Sequence, residues 1–174
     1  EGVSAEIGLN ASVQYSASFD VTTGTQDYDL QKILETRLNP SATGSMTFSD
    51  AVGDAAHFTL VDTSGNTRKF EFDRATSTSK YNTSPVILGI DTIDNAGTPA
   101  ARAEGVVDLV VTAVNSDTHL KITAKEDPSD AKKIILTQDK GGALGNTTIL
   151  NSNMSAQLTV TDFSGGSDTY PYGS

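Results

Sequence analysis

Residues 56–73, "AHFTLVDTSGNTRKFEFD", contain two runs in which apolar residues recur at every second position. Phe58 and Leu60 lie in the first run, and Phe70 and Phe72 lie in the second. Alternation of this kind places each pair on one face of a strand. Because the intervening "TSGN" is rich in turn-forming residues, the stretch predicts a hairpin with these four apolar side chains on its buried face.

Further runs on both sides of this hairpin also predict strands. They occupy residues 12–21, 43–48, 85–90, 118–124, 132–138, 147–150 and 156–163. Loops or turns are predicted at residues 74–84, 91–95 and 125–130. Pro85 opens one of the strands, which suits a strand start or a sheet edge. The abundance of Thr, Ser, Asn, Asp and Gly also favours strands and turns over long helices.

Residues 98–115 carry signals for a helix and for a strand. Thr98 can cap a helix whose first residue is Pro99. Residues at helical spacing are Ala103, Val107, Val110 and Val114, whereas Val107, Leu109, Val111 and Ala113 alternate as in a strand. The capping signals favour one main helix over about residues 98–115.

Three regions are predicted along the chain of 174 residues, a length that suits one domain, or one domain with an arm. Residues 1–40 form an N-terminal arm, in which the strand at 12–21 pairs back with Tyr28 and Leu30 before a short helix at about 29–38. Residues 41–165 form a mainly β (α+β) core, an antiparallel β-sandwich-like domain with the one main helix. Residues 166–174 form a flexible tail.

The net charge is −10 and the chain contains no cysteine. An acidic surface repels nucleic acid and anionic membranes, so neither is expected as a partner. The absence of cysteine excludes disulfides, thiolate zinc sites and cysteine nucleophiles. No apolar run approaches the length of a membrane span.

A glycine-rich stretch, "LTQDKGGALGNTTIL" at residues 136–150, raises the question of a phosphate-binding loop. Such a loop needs a helix after the glycines and a well-placed lysine. Here Lys140 precedes the glycines, and a strand is predicted after them. A turn is therefore favoured, in which Gly141, Gly142 and Gly145 supply positive φ angles.

Other candidates for chemistry each have a simpler explanation. Asp62, Ser64 and Asn66 offer oxygens as in the start of a calcium loop, but the bidentate glutamate is missing because residue 73 is Asp, and a hairpin turn explains the same residues. His57 and His119 have no spacing typical of a metal site or a Ser-His-Asp triad. Glu71 shares a strand face with Asp73, as in a glycosidase pair, but no Trp provides a platform for sugar. We therefore predict no catalytic, cofactor or metal residues.

The order of the segments resembles a domain of virion structural proteins of tailed bacteriophages. The matching pieces are "SATGSMTFSD", "AAHFTLVDTSGNTRKFEFD", "VILGIDTI", "TAVN" at the helix end, "LKITAKED", "IILTQDKGGALGNTTI" and "LTVTDFSGG". The opening "SASFDVTTGTQDYDLQ" is similar to such proteins as well, so the resemblance covers most of the chain. It departs in the helix, "EGVVDLVVTAV", where the family usually carries Ala and Leu.

This resemblance implies a non-enzymatic component of the particle, in the head decoration, neck, tail or baseplate. Its partners would be copies of itself and other virion proteins, and its location the virion, assembled in the bacterial host cytoplasm. The alternative is a β-sandwich module that binds carbohydrate or a surface, as in adhesins. Candidate assembly contacts lie in the arm and the tail: Val13, Tyr15, Phe19, Val21, Tyr170 and Tyr172.

Overall fold

The computed structural model describes residues 39–81, 83–95 and 97–168, together with the backbone of residues 3–8 and 14–19. The strands are β1 (Val3–Gly8), β2 (Gln14–Phe19), β3 (Thr43–Phe48), β4 (His57–Val61), β5 (Thr67–Asp73), β6 (Val86–Gly89), β7 (Ile122–Asp127), β8 (Asp130–Gln138), β9 (Leu150–Ser152) and β10 (Leu158–Ser164). The helices are α1 (Asp91–Asp94) and α2 (Pro99–Ser116), and residues Ala143–Gly145 form a 3-10 turn.

Two four-stranded sheets pack together with α2, which confirms the predicted β-sandwich-like fold with one main helix. The first sheet has the strand order β10-β3-β8-β7 and the second has the order β6-β5-β4-β9. A single apolar cluster contains residues of both sheets and of α2, and it forms the core. Strands β5 and β6 run parallel, whereas the other described pairs are antiparallel.

The predicted hairpin at residues 56–73 is confirmed as β4 and β5. Phe58 lies directly opposite Phe70 in the register, and their rings stack with centroids 4.8 Å apart. Leu60 and Phe72 are also fully buried. Burial of four large apolar side chains on one face holds this hairpin against the core.

Helix α2 begins where the capping signals predicted. The side-chain oxygen of Thr98 accepts a hydrogen bond from the backbone N–H of Ala101 at 3.2 Å, and Pro99 is the first helical residue. The buried face consists of Ala103, Val106, Val107, Val110, Ala113 and Val114. It packs mainly against β7 and β8, so tertiary burial outweighs the strand propensity of the valines.

The strand predicted at residues 118–124 begins later, at Ile122. The carboxylate of Asp117 accepts the backbone N–H groups of His119 and Leu120, at 2.8 and 3.1 Å, and this holds both residues in a turn. The predicted start was therefore wrong, and His119 precedes the strand. The turn predicted at residues 125–130 is also too long, since β7 continues to Asp127 and β8 already begins at Asp130.

Two further local predictions were wrong. Residues 91–95, predicted as a loop, contain the short helix α1. The strand predicted at residues 147–150 begins only at Leu150, because Thr147 uses its hydroxyl and carbonyl groups to bind neighbouring strands.

The N-terminal strand predicted at residues 12–21 corresponds to β2, whose described partner is the preceding strand β1. In this antiparallel pair Val3 lies opposite Phe19 and Gly8 lies opposite Gln14. The predicted pairing with Tyr28 and Leu30 and the predicted helix at 29–38 lie outside the described residues.

Candidate assembly surface

Gln138 joins the glycine-rich stretch to both sheets. It ends β8 in the first sheet and is 1% exposed. Its side-chain oxygen accepts the backbone N–H of Thr63 at 2.9 Å, and its side-chain nitrogen donates to the carbonyl oxygen of Val61 at 3.0 Å. Thr147 also donates to that carbonyl, at 2.8 Å. These bonds satisfy polar groups buried between the two sheets.

The loop after Gln138 contacts the segment where the chain enters the domain. The backbone N–H of Gly142 donates to the carbonyl oxygen of Pro40 at 3.2 Å. The backbone N–H of Gln138 donates to the carbonyl oxygen of Ala42 at 3.0 Å. The path of the chain into β3 is thereby fixed by the loop.

The same loop contacts the segment where the chain leaves the domain. The side chain of Asn146 donates to the carbonyl of Gly166 at 2.9 Å and accepts the N–H of Gly166 at 2.8 Å. The carboxylate of Asp168 accepts the N–H of Ala143 at 2.9 Å. The first residues of the predicted tail are therefore held against the loop.

The predicted positive φ is found at one of the three glycines of this loop, and the other two have a different role. Of the three, Gly142 has a positive φ, of 120°. At Gly141 a Cβ atom would overlap the carbonyl oxygen of Asn39, and at Gly145 it would lie 3.0 Å from the hydroxyl oxygen of Thr63. Gly141 and Gly145 are thus explained by close approach of the backbone to its neighbours.

We call residues 39–42, 140–146 and 165–168 the chain-end junction. Both regions predicted to make assembly contacts connect to the domain here, because residue 38 precedes Asn39 and residue 169 follows Asp168. Leu144, in the 3-10 turn of the junction, is 76% exposed. The junction is therefore the described surface from which contacts of both chain ends would start.

The predicted contact residues themselves are only partly within the described backbone. Tyr15 and Phe19 belong to β2, at positions opposite Ile7 and Val3. Val13, Val21, Tyr170 and Tyr172 lie outside the described residues.

The two histidines lie in different elements, His57 in β4 and His119 in the turn before β7. Nδ1 of His57 is 3.2 Å from the carbonyl oxygen of Ala55. His119 is mostly exposed, and its Nδ1 is 3.6 Å from a carboxylate oxygen of Asp117. Within the described ranges no group of three or more His, Asp or Glu side chains could hold a metal ion.

The oxygen cluster at residues 62–66 forms a hairpin turn. One carboxylate oxygen of Asp62 accepts the N–H groups of Ser64 and Asn66, at 2.8 and 2.9 Å. The other accepts the Asn66 side chain at 2.8 Å and the Lys121 N–H at 3.0 Å. Burial opposes ionisation, but these hydrogen bonds outweigh it and lower the pKa of Asp62. The carboxylate is thus engaged in joining the hairpin to Lys121, directly before β7.

Glu71 and Asp73 lie on one face of β5, as predicted, but each has its own partner. Glu71 pairs with Lys69 at 2.7 Å, and Asp73 accepts the N–H of Ala75 at 2.8 Å. The Glu71 carboxylate therefore forms an ion pair on the sheet surface, and the Asp73 carboxylate stabilises the turn after β5.

Other acidic residues form structural ion pairs. Asp117 has a fully buried side chain and pairs with Arg68 at 2.6 Å. Asp50 binds Arg102 through both oxygens, at 2.6 and 3.0 Å, and this hydrogen-bonded pairing lowers the pKa of Asp50. These pairs connect the helix region to the strands and turns beside it.

The comparisons with known proteins add no assignment. No protein-family model matches the chain, and no curated protein matches it significantly. None of the helices in the described part of the chain is long and apolar enough to cross a membrane.

Sequence reasoning missed Gln138, although a signal was present. Ile134, Leu136 and Gln138 are in phase along β8, and the first two are fully buried. Alternation therefore places Gln138 on the inner face, where an amide needs hydrogen-bonding partners.

Proposed function

We propose that the chain is a non-enzymatic structural component of a tailed-bacteriophage virion that assembles as repeated subunits. It would act in the head decoration, neck, tail or baseplate and contact copies of itself and other virion proteins. Neither nucleic acid nor a membrane is a partner in this proposal, and the protein would be located in the virion after assembly in the bacterial host cytoplasm.

One observation carries the proposal furthest. The chain-end junction brings together the two points at which the predicted contact regions attach to the domain, through bonds from Gly142 to Pro40 and from Ala143 to Asp168. Two segments that leave a domain together can contact two neighbours at once, which strengthens assembly by multivalency. The ordered series of segments that resembles phage structural proteins supports the same function.

The chemistry of the described domain is consistent with a structural role. The carboxylates of Asp50, Asp62, Asp117 and Asp127 are engaged in hydrogen bonds or ion pairs that connect separate elements. Such interactions fix the relative positions of loops and strands.

Immunogold labelling of purified tailed-phage particles encoded by the genome that carries this sequence would test the proposal. We expect label at one defined region of every particle. The position of the label would distinguish head, neck, tail and baseplate.

Unlabelled particles would contradict the proposal. A glycan array probed with the full chain serves as the companion experiment. Selective glycan binding together with unlabelled particles would favour the carbohydrate-binding or adhesin alternative.

A further inference from the structure

The two sheets of the domain present four edge strands, and three of these are covered or very short. The order of the sheets makes β10 and β7 the edges of the first sheet and β6 and β9 the edges of the second. An uncovered edge exposes a row of backbone N–H and C=O groups that can pair with another strand.

Side chains and loops close the outer sides of β6 and β7. Lys80 exchanges two backbone hydrogen bonds with Ile87 of β6, at 2.8 and 3.0 Å. Asn115 of α2 donates to the carbonyl of Ala124 in β7 at 2.9 Å and accepts its N–H at 2.9 Å. Strand β9, the other edge of the second sheet, is only three residues long.

The outer edge of β10 is open only at its centre. Towards its two ends, the backbone N–H of Leu158 donates to the carbonyl oxygen of Met154 at 2.9 Å, and the backbone N–H of Phe163 donates to that of Thr147 at 3.0 Å. Ser49 donates to the carbonyl of Gln157 at 2.9 Å, and the register places Thr159 opposite Thr47. Since alternate residues of an antiparallel strand direct their backbone groups to opposite sides, those of Val160 point away from β3. Within the described residues, no hydrogen bond reaches the backbone N–H or C=O of Val160.

The N-terminal hairpin of β1 and β2 lacks a third strand among the described residues. Strands β1 and β2 have only each other as partners among the described residues, in a sheet of two strands. An isolated two-stranded hairpin is marginally stable in water, and a third strand stabilises it. This hairpin does not join the sheet of β10 within its own chain.

We propose that the open edge of β10 accepts strand β2 of a second copy of this chain, so that the hairpin extends the first sheet of its neighbour. This inference rests on the proposed function, since it identifies the receiving surface for the arm of an assembling subunit. Residues 20–38 can span up to roughly 60 Å when extended, which permits exchange between neighbouring copies.

Charge and residue pattern favour β2 over β1 as the added strand. β2, "QYSASF", is uncharged, whereas β1 contains Glu6, which would add a negative charge to the edge of a chain already carrying a net charge of −10. In β2 polar and apolar residues alternate, as they do in β10, where Thr159 and Thr161 are exposed and Val160 is half-buried. Added in phase, the apolar positions of β2 would extend the inner face of the sheet.

Val160→Pro in the full chain tests the proposal. Proline removes the outward N–H, which has no partner within the described domain, and its ring obstructs an incoming strand. We expect roughly ten-fold weaker self-association by analytical ultracentrifugation, since one or two intermolecular hydrogen bonds are lost. Thermal unfolding of the variant establishes that the domain is folded.

Cysteine cross-linking tests the contact without altering Val160. The natural chain has no cysteine, so every thiol is introduced. We expect an equimolar mixture of Ser16→Cys and Thr161→Cys chains to form mixed dimers with a short bismaleimide. The matched control mixture replaces Thr161→Cys with Thr112→Cys, an exposed position on α2, and should form none.

Three outcomes would overturn the inference. They are a wild-type chain that stays monomeric, self-association unchanged by Val160→Pro with no mixed dimer, and a double variant, Ser16→Cys with Thr161→Cys, that cross-links within one chain while the mixture of single variants forms no mixed dimer. The last would place the hairpin on its own domain. Particle labelling is independent of these results, so the proposed function can stand when this inference fails.

Discussion

At the residue scale, Gln138 is the buried polar group that ties the two sheets to the glycine-rich loop. Replacement by Leu would leave the N–H of Thr63 buried without its partner, while the carbonyl of Val61 would keep its bond from Thr147. We expect Gln138→Leu to lower the free energy of unfolding by about 1–3 kcal/mol, measured by urea denaturation.

The matched control is Gln157→Leu. Gln157 is half-buried, and its side chain makes no hydrogen bond within the described residues. A change within about 0.5 kcal/mol is expected for this control. Equal effects of the two substitutions would show that the position of the amide is unimportant.

A substitution at Gly141 tests the close approach of the glycine-rich loop to Asn39. A methyl group there would overlap the carbonyl oxygen of Asn39, so Gly141→Ala should lower the free energy of unfolding by about 1–3 kcal/mol. Gly53→Ala is the control, since a Cβ atom at Gly53 would meet no atom within 4 Å. Denaturation curves that coincide for the two variants would contradict this packing.

The stability contributed by Asp127 should depend on pH. Hydrogen bonds from the Ser129 side chain and backbone, and then the pairing with Lys133, lower the pKa of Asp127 from 3.8 to about 2. Because the pKa is lower in the folded state, the stabilisation is fully present above pH 3.8 and is lost as the pH falls through about 2.

The stability difference between wild type and Asp127→Asn should therefore narrow as the pH is lowered across this window in urea denaturation experiments. Ser129→Ala removes one donor and should raise the titration midpoint of Asp127, followed by NMR. A difference that stays constant with pH would be incompatible with the lowered pKa.

At the element scale, local patterns predicted the parts of the fold that depend on local chemistry. Phe58, Leu60, Phe70 and Phe72 define β4 and β5 by alternation, and Thr98 defines the start of α2 by capping. The start of β7 depends on hydrogen bonds to the Asp117 carboxylate. The parallel placement of β6 depends on its pairing with β5, which is distant in sequence. Neither leaves a periodic signal in the sequence.

The N-terminal arm should be needed for assembly but not for folding of the domain. The apolar core lies entirely between Ala42 and Phe163 among the side chains that the structure describes. Deleting residues 1–30 should therefore leave a cooperatively folding domain that no longer assembles, as followed by thermal unfolding and light scattering. Normal assembly of the truncated chain would exclude the arm as an assembly element.

At the scale of the whole molecule, the sequence predicted an arm and a tail but not that their attachment points lie side by side on the domain. The turn chemistry of the glycines was recognisable, yet the approach of Asn39 to Gly141 and of Gly166 to Asn146 joins residues far apart in sequence. Single-sequence patterns contain no distances between such segments. The chain-end junction therefore became visible only in the folded domain.

Assembly of this acidic chain from repeated subunits is tested most directly by light scattering of the 174-residue chain across a salt titration. We predict a discrete oligomer that strengthens as salt increases, because screening reduces repulsion between subunits of net charge −10. A protein that remains monomeric at every salt concentration, alone and when mixed with purified phage particles, would contradict the account.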